Sequence, residues 1–289
     1  MGLRTKFNLA LLLVFAAGLG VTGYISYTLL QKNAQDEVLR NAGVMMEAAS
    51  SMRYYTQKHV SPKLDYQPDI FIPESVPAFA ATEMMNQLRK KYDNYHYKEA
   101  VLNPTNPRDR AVEWEADVVN EFRNSADKKE IMGMRMAASG PALYLARPLK
   151  IVDPGCLVCH STPDKAPAAM LTQYGPNNGF GWKLNEIIGA QVVSVPMSLP
   201  IANADRAFVT FMASLSVVFV LLFLILNVML SYLIVRPITQ LSEAANEIST
   251  GNMDIPEFAD KGNDEMALLS KSFNRMRRSL QKAISLIDS

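Results

Sequence analysis

Hydrophobic and polar positions divide the chain into four stretches. Residues 7–30 form an uncharged apolar run of 24 residues, and residues 208–235 form another of 28. Each exceeds the roughly 20 residues a helix needs to cross about 30 Å of hydrocarbon. Tyr24 and Tyr27 lie near the outer end of the first run, where a membrane interface favours aromatic rings. The run is also longer than the apolar part of a cleaved signal peptide. It therefore reads as a retained anchor, transmembrane helix 1 over residues 1–30, and residues 208–235 read as transmembrane helix 2.

Between the spans, residues 31–60 contain no proline and one glycine, Gly43, so the first helix is expected to run on. Val38, Met45, Met46, Ala49, Met52 and Tyr55 recur there at helical spacing, a stripe suited to a core or a dimer seam. Pro62 ends the helix, and loops with Pro68, Pro73 and Pro77 follow. A helix is expected over 80–92, a strand over 95–100, and a turn at Asn103-Pro104-Thr105-Asn106-Pro107. Residues 111–125 read as an amphipathic helix with Trp114, Val118 and Phe122 on one face. Residues 131–138 and 142–148 read as paired strands about a Ser139-Gly140-Pro141 turn, and 187–195 as a last strand after a glycine-rich loop over 175–182. This mixture predicts an α+β domain over residues 31–207.

Beyond the second span, Arg236-Pro237 opens a heptad series of Ile238, Leu241, Ala245 and Ile248 that stops at Gly251. A second series runs Met266, Leu269, Phe273, Met276, Leu280, Ala283 and Ile287, stepping three and four residues in turn. Two short heptad helices cannot bury their seams alone, whereas a dimer buries them in a parallel four-helix coiled coil. A juxtamembrane helix lying on lipid is the competing reading, with Arg275, Arg277 and Arg278 facing head groups. The proline after the span, the glycine exit and the Asp264-Glu265 start resemble the HAMP linker of bacterial receptors, assigned to residues 236–289.

Charge fixes an orientation. Arg4 and Lys6 precede the first span and Arg236 follows the second, so both termini are expected in the cytoplasm. The intervening segment carries 20 Lys/Arg against 20 Asp/Glu and is expected outside, in the periplasm of a bacterial inner-membrane protein. A formal net charge of +1 lacks the basic face that nucleic-acid binding requires.

The chemistry concentrates at Gly155-Cys156-Leu157-Val158-Cys159-His160, which holds both cysteines of the chain. Two cysteines three apart, followed directly by histidine, form the attachment signature of a c-type haem. Such a pair also occurs as a redox disulfide, as half of a zinc site or as two buried thiols. No thioredoxin-like βαβ pattern surrounds it, and no second cysteine pair exists to complete a zinc site. No Ser-His-Asp set, phosphate loop or carboxylate dyad points to an enzyme, and Asp153 beside Pro154 reads as a turn residue.

With the motif stand Arg53-Tyr54-Tyr55 through Pro62, the 103–107 turn, Trp114-Glu115, Gly179-Phe180-Gly181-Trp182 and Gly189-Ala190. Together they resemble the c-type haem, PAS-like periplasmic sensor family of bacterial receptors, often placed upstream of HAMP. The resemblance implies one covalent haem c, with Cys156 and Cys159 carrying the porphyrin and His160 as proximal iron ligand. Relatives can place a cysteine of the lead-in helix on the other face of the iron; this chain has none there. Of its three histidines, His59 at the helix end is the first candidate for that position. His96, Met52, or an open site beneath Tyr54 or Tyr55 are the others. Arg53, Arg135 and Arg147 are candidates for the haem propionates, because guanidinium matches carboxylate bidentately.

The resulting expectation is a homodimeric membrane-bound sensor. A diatomic gas ligand or the redox state of the iron would be read outside, and the signal would pass through HAMP to a separate cytoplasmic signalling protein. Relatives end in a kinase, cyclase or chemotaxis domain, whereas this sequence stops at Ser289. That difference supports the alternative, a membrane-anchored electron-transfer cytochrome serving a redox partner, for which HAMP would be only a dimerising stalk.

Overall fold

The computed structural model describes residues 1–64, 70–125, 127–138, 140–259 and 262–287. Pro68 and Ser139, both expected in loops or turns, and the side chain of Ile287 lie outside the described residues. The chain divides into two compact units, residues 27–207 and residues 1–26 with 208–289.

The helix α1 (Leu3–Tyr55) is unbroken for 53 residues, about 80 Å at 1.5 Å per residue. Its N-terminal part belongs to one unit and its C-terminal part to the other. In the larger unit there follow a π turn (Thr56–Val60), α2 (Pro77–Arg89), β1 (His96–Val101), α3 (Glu113–Asn124), β2 (Ile131–Ala137) and β3 (Gly140–Lys150). Then come α4 (Cys156–His160), α5 (Ala168–Tyr174), β4 (Ile187–Pro196) and the start of α6 (Ser198–Leu230). The strands form one antiparallel sheet in the order β1-β4-β3-β2. This is the α+β architecture expected.

Alternation along the strands assigns each face of the sheet its own helix. On one face Tyr97, Leu143, Leu145, Val193 and Val195 pack with α1 residues Val38, Ala42, Met46 and Ala49 and with Ala81 and Met85 of α2. On the other, Ala100, Ile131, Ala146, Ala190 and Val192 pack with Val118, Val119 and Phe122 of α3. Phe122 is fully buried, worth about 1.5–3 kcal/mol relative to exposure. The methionine stripe of α1 is thus core, and Met52 packs at its margin. A third, smaller cluster closes one end of the sheet, where Val101, Leu149, Ile151 and Ile188 meet Cys156, Leu157 and Trp182.

Two helices start later or earlier than periodicity predicts. Pro77 occupies the first turn of α2, where its missing N–H costs nothing, so the helix begins three residues before the expected Ala80. α3 begins at Glu113, where Glu115 reaches back to accept the Val112 N–H at 3.0 Å. At the sheet edge, Gly133 on β2 faces Tyr144 on β3. A Cβ added there would lie 2.7 Å from the tyrosine oxygen.

In the smaller unit, two helices are long and apolar enough to cross a membrane. The Phe15 and Phe219 rings stack at 4.9 Å between them. The helices α7 (Arg236–Ser249) and α8 (Glu265–Ile287) follow. Leu241, Ala244 and Ile248 are buried, while the expected Ala245 is exposed. In α8 most of the expected seam is uncovered, with Leu269, Met276 and Leu280 all above two-fifths exposed. The connector is held instead by Asn274, whose amide pairs with both the N–H (3.1 Å) and the C=O (2.9 Å) of Phe258. Arg277 donates to the Ile255 carbonyl.

Candidate functional site

The Pro154-Gly155 breaker lets the chain leave Ile151 and turn at once into α4, which is made of Cys156-Leu157-Val158-Cys159-His160. One helical turn separates the two thiols, so they share a face. Both are free and half-buried. Burial raises the Cys156 thiol, with Asp153 adding to the effect and Arg53 opposing it. Burial also raises Cys159. Redox-active Cys-x-x-Cys pairs work through a lowered thiol pKa, so these environments do not favour a disulfide exchange site.

His160 is the most constrained member. Its Nδ1 lies 2.8 Å from the Gly179 carbonyl and 3.3 Å from Thr105 Oγ1. The carbonyl can only accept, so Nδ1 carries the proton and Nε2 keeps its lone pair. Trp182 stacks on the imidazole, centroids 4.0 Å apart and planes 19° from parallel. Burial favours the neutral ring and pushes the His160 pKa down, while the bond to the Gly179 carbonyl opposes it. A neutral imidazole with Nδ1 anchored to a backbone carbonyl is the form that ligates a metal through Nε2.

The loop that supplies these contacts is held in turn by the turn before α3. Gly179 N–H donates to Asn103 Oδ1 (3.3 Å) and Asn103 Nδ2 donates to the Phe180 carbonyl (3.4 Å). Gly181 N–H donates to the Ser161 carbonyl and Trp182 N–H to that of His160. Gly179 sits at φ +82°, and an added Cβ would fall 1.9 Å from Thr105 Oγ1. Both segments carry the family resemblance, but nothing in their spacing indicates that they meet. Asn103, Thr105, Gly179 and Trp182 are the positioning residues that spacing does not single out, the two glycines flanking Phe180 being the visible signal.

The end of the lead-in helix reaches the same motif. Gln57 Nε2 donates to Asp153 Oδ2 at 2.6 Å, and Asp153 Oδ1 accepts from Gly155 N–H at 2.8 Å. Arg53 pairs with Glu99, which also accepts from Tyr97 (2.9 Å); Gln191 donates to the Tyr97 oxygen (2.9 Å). His59 lies on the π turn, exposed, with the exposed Tyr54 and Tyr55 at ring distances of 6.5 and 5.5 Å. π turns occur frequently at functional sites.

Other expected residues lie apart from the motif. His96 begins β1, whereas Val101 at the far end of the six-residue strand packs in the Cys156 cluster, at about 3.3 Å per step along the strand. Arg135 lies over the Trp114 ring at 4.3 Å, and Arg147 is held by Glu47 and Glu130 at 2.7 and 2.6 Å. Arg147 is thus already matched to two carboxylates.

The donor set suits a covalently held haem. Two thiols share one helical face, and a neutral imidazole with a free Nε2 follows them directly. No curated protein matches the chain. Among solved structures, the cyanobacterial haem-protein Tll0287 matches with 16% identity and a TM-score of 0.44, covering 55% of this chain and 95% of that one. The HAMP domain model matches residues 229–282, and the Tll0287-like model matches residues 31–196, more than half of the sequence. The chain is a member of the Tll0287-like family with a C-terminal HAMP domain.

Proposed function

We propose that the protein is a membrane-bound haem-based sensor. Its outer domain, residues 31–207, carries one haem c and signals through residues 236–289 of a homodimer to a separate cytoplasmic partner. Cys156 and Cys159 form the thioethers, and His160 Nε2 is the proximal iron ligand. The observation that carries this reading is the bond from His160 Nδ1 to the Gly179 carbonyl, which leaves Nε2 unprotonated beside two free thiols. His59, with Tyr54 and Tyr55 beside it at the end of α1, is the candidate for the opposite face of the iron, and Arg53 for a propionate. When bound, the haem supplies a redox-active iron able to take a diatomic ligand.

The HAMP match favours signalling over electron transfer, since a HAMP domain passes on conformational change and an electron carrier has no use for it. Gln57 and Asp153 offer the route, joining the motif loop to the end of a helix that begins in a membrane-spanning segment. The flanking charges, Arg4 and Lys6 before the first span and Arg236 after the second, support an inner-membrane location with the haem domain in the periplasm and both termini in the cytoplasm.

The test is the full-length protein purified from cells that attach haem c, then denatured. Haem should stay on the chain, and on Cys156→Ser or Cys159→Ser through a single thioether, but not on the double variant. Haem that extracts from the wild-type chain would sink the proposal. Spectra before and after carbon monoxide and nitric oxide then separate a gas sensor from a redox sensor.

A further inference from the structure

On the sheet face opposite Arg53 and Glu99 lies a cavity of about 450 Å³, in the size range of small-molecule sites. Its walls come from α2, β1, β2 and the start of α3, and Val192 and Ser194 of β4 form part of its floor. It plays no part in the site around His160.

The charges in this cavity do not balance. Lys98 is paired with Glu115 at 2.7 Å, and Arg108 is paired with Glu83 at 2.6 Å, with Asp109 at 3.7 Å. That leaves Arg89 from α2 and Arg135 from β2, neither of which has a carboxylate within 4 Å among the described residues. Both lie close enough to His96 that, with desolvation first, they lower its pKa, while Asp93 opposes them. Two guanidiniums on different elements, flanking an imidazole and unmatched by acid, are an arrangement for two anionic groups. The uncharged part of the wall is mixed, with Trp114 beneath Arg135, Val192 and Ala137 apolar and Thr82, Asn86 and Ser194 polar.

We infer that this cavity binds a small organic dicarboxylate, one carboxylate on Arg135 and the other on Arg89, its body against Trp114. His96 donates a further hydrogen bond. The cavity gives the domain a second input, separate from the haem, so that the same helices report a metabolite as well as the state of the iron. The inference does not depend on the haem assignment.

The test is calorimetric titration of full-length haem-loaded protein in detergent with succinate, phthalate and citrate, with acetate and inorganic phosphate as controls. At least one dicarboxylate should bind saturably at one site per chain, with acetate at least tenfold weaker. Arg135→Gln and Arg89→Gln should each weaken it tenfold or more, with the haem spectrum unchanged. Arg89 is exposed and makes no ion pair, so Arg89→Gln reports binding even if Arg135→Gln folds poorly. No saturable binding by any probe, or binding indifferent to Arg89→Gln, overturns the inference. Loss of covalent haem would instead count against the sensor reading alone.

Discussion

Gln57 and Asp153, 96 residues apart in sequence, are joined by a 2.6 Å hydrogen bond. The bond fastens the turn after the long first helix to the loop that launches Cys156. The same carboxylate caps Gly155 N–H, and these two bonds hold the Asp153 pKa below the ordinary carboxylate range. A lowered acid pKa adds stability above its unfolded value and loses it as pH falls through the folded one. Hydrogen exchange in peptides over 153–161, relative to the intrinsic rate at each pH, is therefore expected to quicken as pH drops below about 4. Gln57→Ala should quicken it several-fold at neutral pH. Unchanged exchange in that variant would show the contact to be idle.

Gly179 and Gly181 separate two kinds of backbone demand. Both have positive φ, but a Cβ at 181 meets open space while one at 179 meets Thr105. Gly181→Ala should cost about 1 kcal/mol, the left-handed penalty alone. Gly179→Ala should cost about 2–4 kcal/mol, because overpacking against the Thr105 backbone adds to it. It should also disturb His160, the proposed iron ligand, read in the haem spectrum of the loaded protein. Equal melting temperatures for the two variants would contradict the geometry.

Asp109 carries the opposite sign from Asp153. Burial pushes its pKa up to about 6, against the pull of Arg108 and Lys98. A raised acid favours the folded state most at low pH and loses that contribution as pH rises through the folded value. Thermal melts of the wild type should thus fall between pH 4.5 and 7.5 by more than those of Asp109→Asn. At pH 7.5 the amide variant should be more stable by about 1–3 kcal/mol. Parallel curves would mean that the carboxylate is solvated.

Asn274 holds the HAMP connector by acting as a short piece of strand opposite Phe258. Asn274→Ala leaves a backbone donor and acceptor unmatched and should cost about 1–2 kcal/mol. Asn274→Asp keeps the acceptor but loses the donor and should fall between. Proteolysis at 252–264 in detergent reads the connector directly, and an unchanged cleavage rate in Asn274→Ala would refute the clamp.

Elements were legible where burial imposes a clean period. The Ile131–Ala137 and Gly140–Lys150 hairpin and the last strand came out within two residues, because one sheet face belongs to α1 and the other to α3. The π turn left no mark, since residues 56–60 read as ordinary helix. At the site, Cys156, Cys159 and His160 announce themselves by spacing. The residues that hold His160 do not, because Thr105 and Gly179 reach it across 55 and 19 positions of chain. Arginines were the least readable. Arg135 and Arg147 looked alike in sequence, yet one lies over Trp114 and the other between two glutamates.

The space that Gly133 leaves for the Tyr144 ring ties two positions into one hereditary unit. Tyr144 leans on Trp114, ring centroids 5.2 Å apart, and Trp114 supports Arg135. A lineage that gains a side chain at 133 must first shrink residue 144, and the indole then loses its backing. Drift at a plain edge-strand glycine is thus hindered unless two neighbours change with it, and sequences that part here should part at 114 and 144 together.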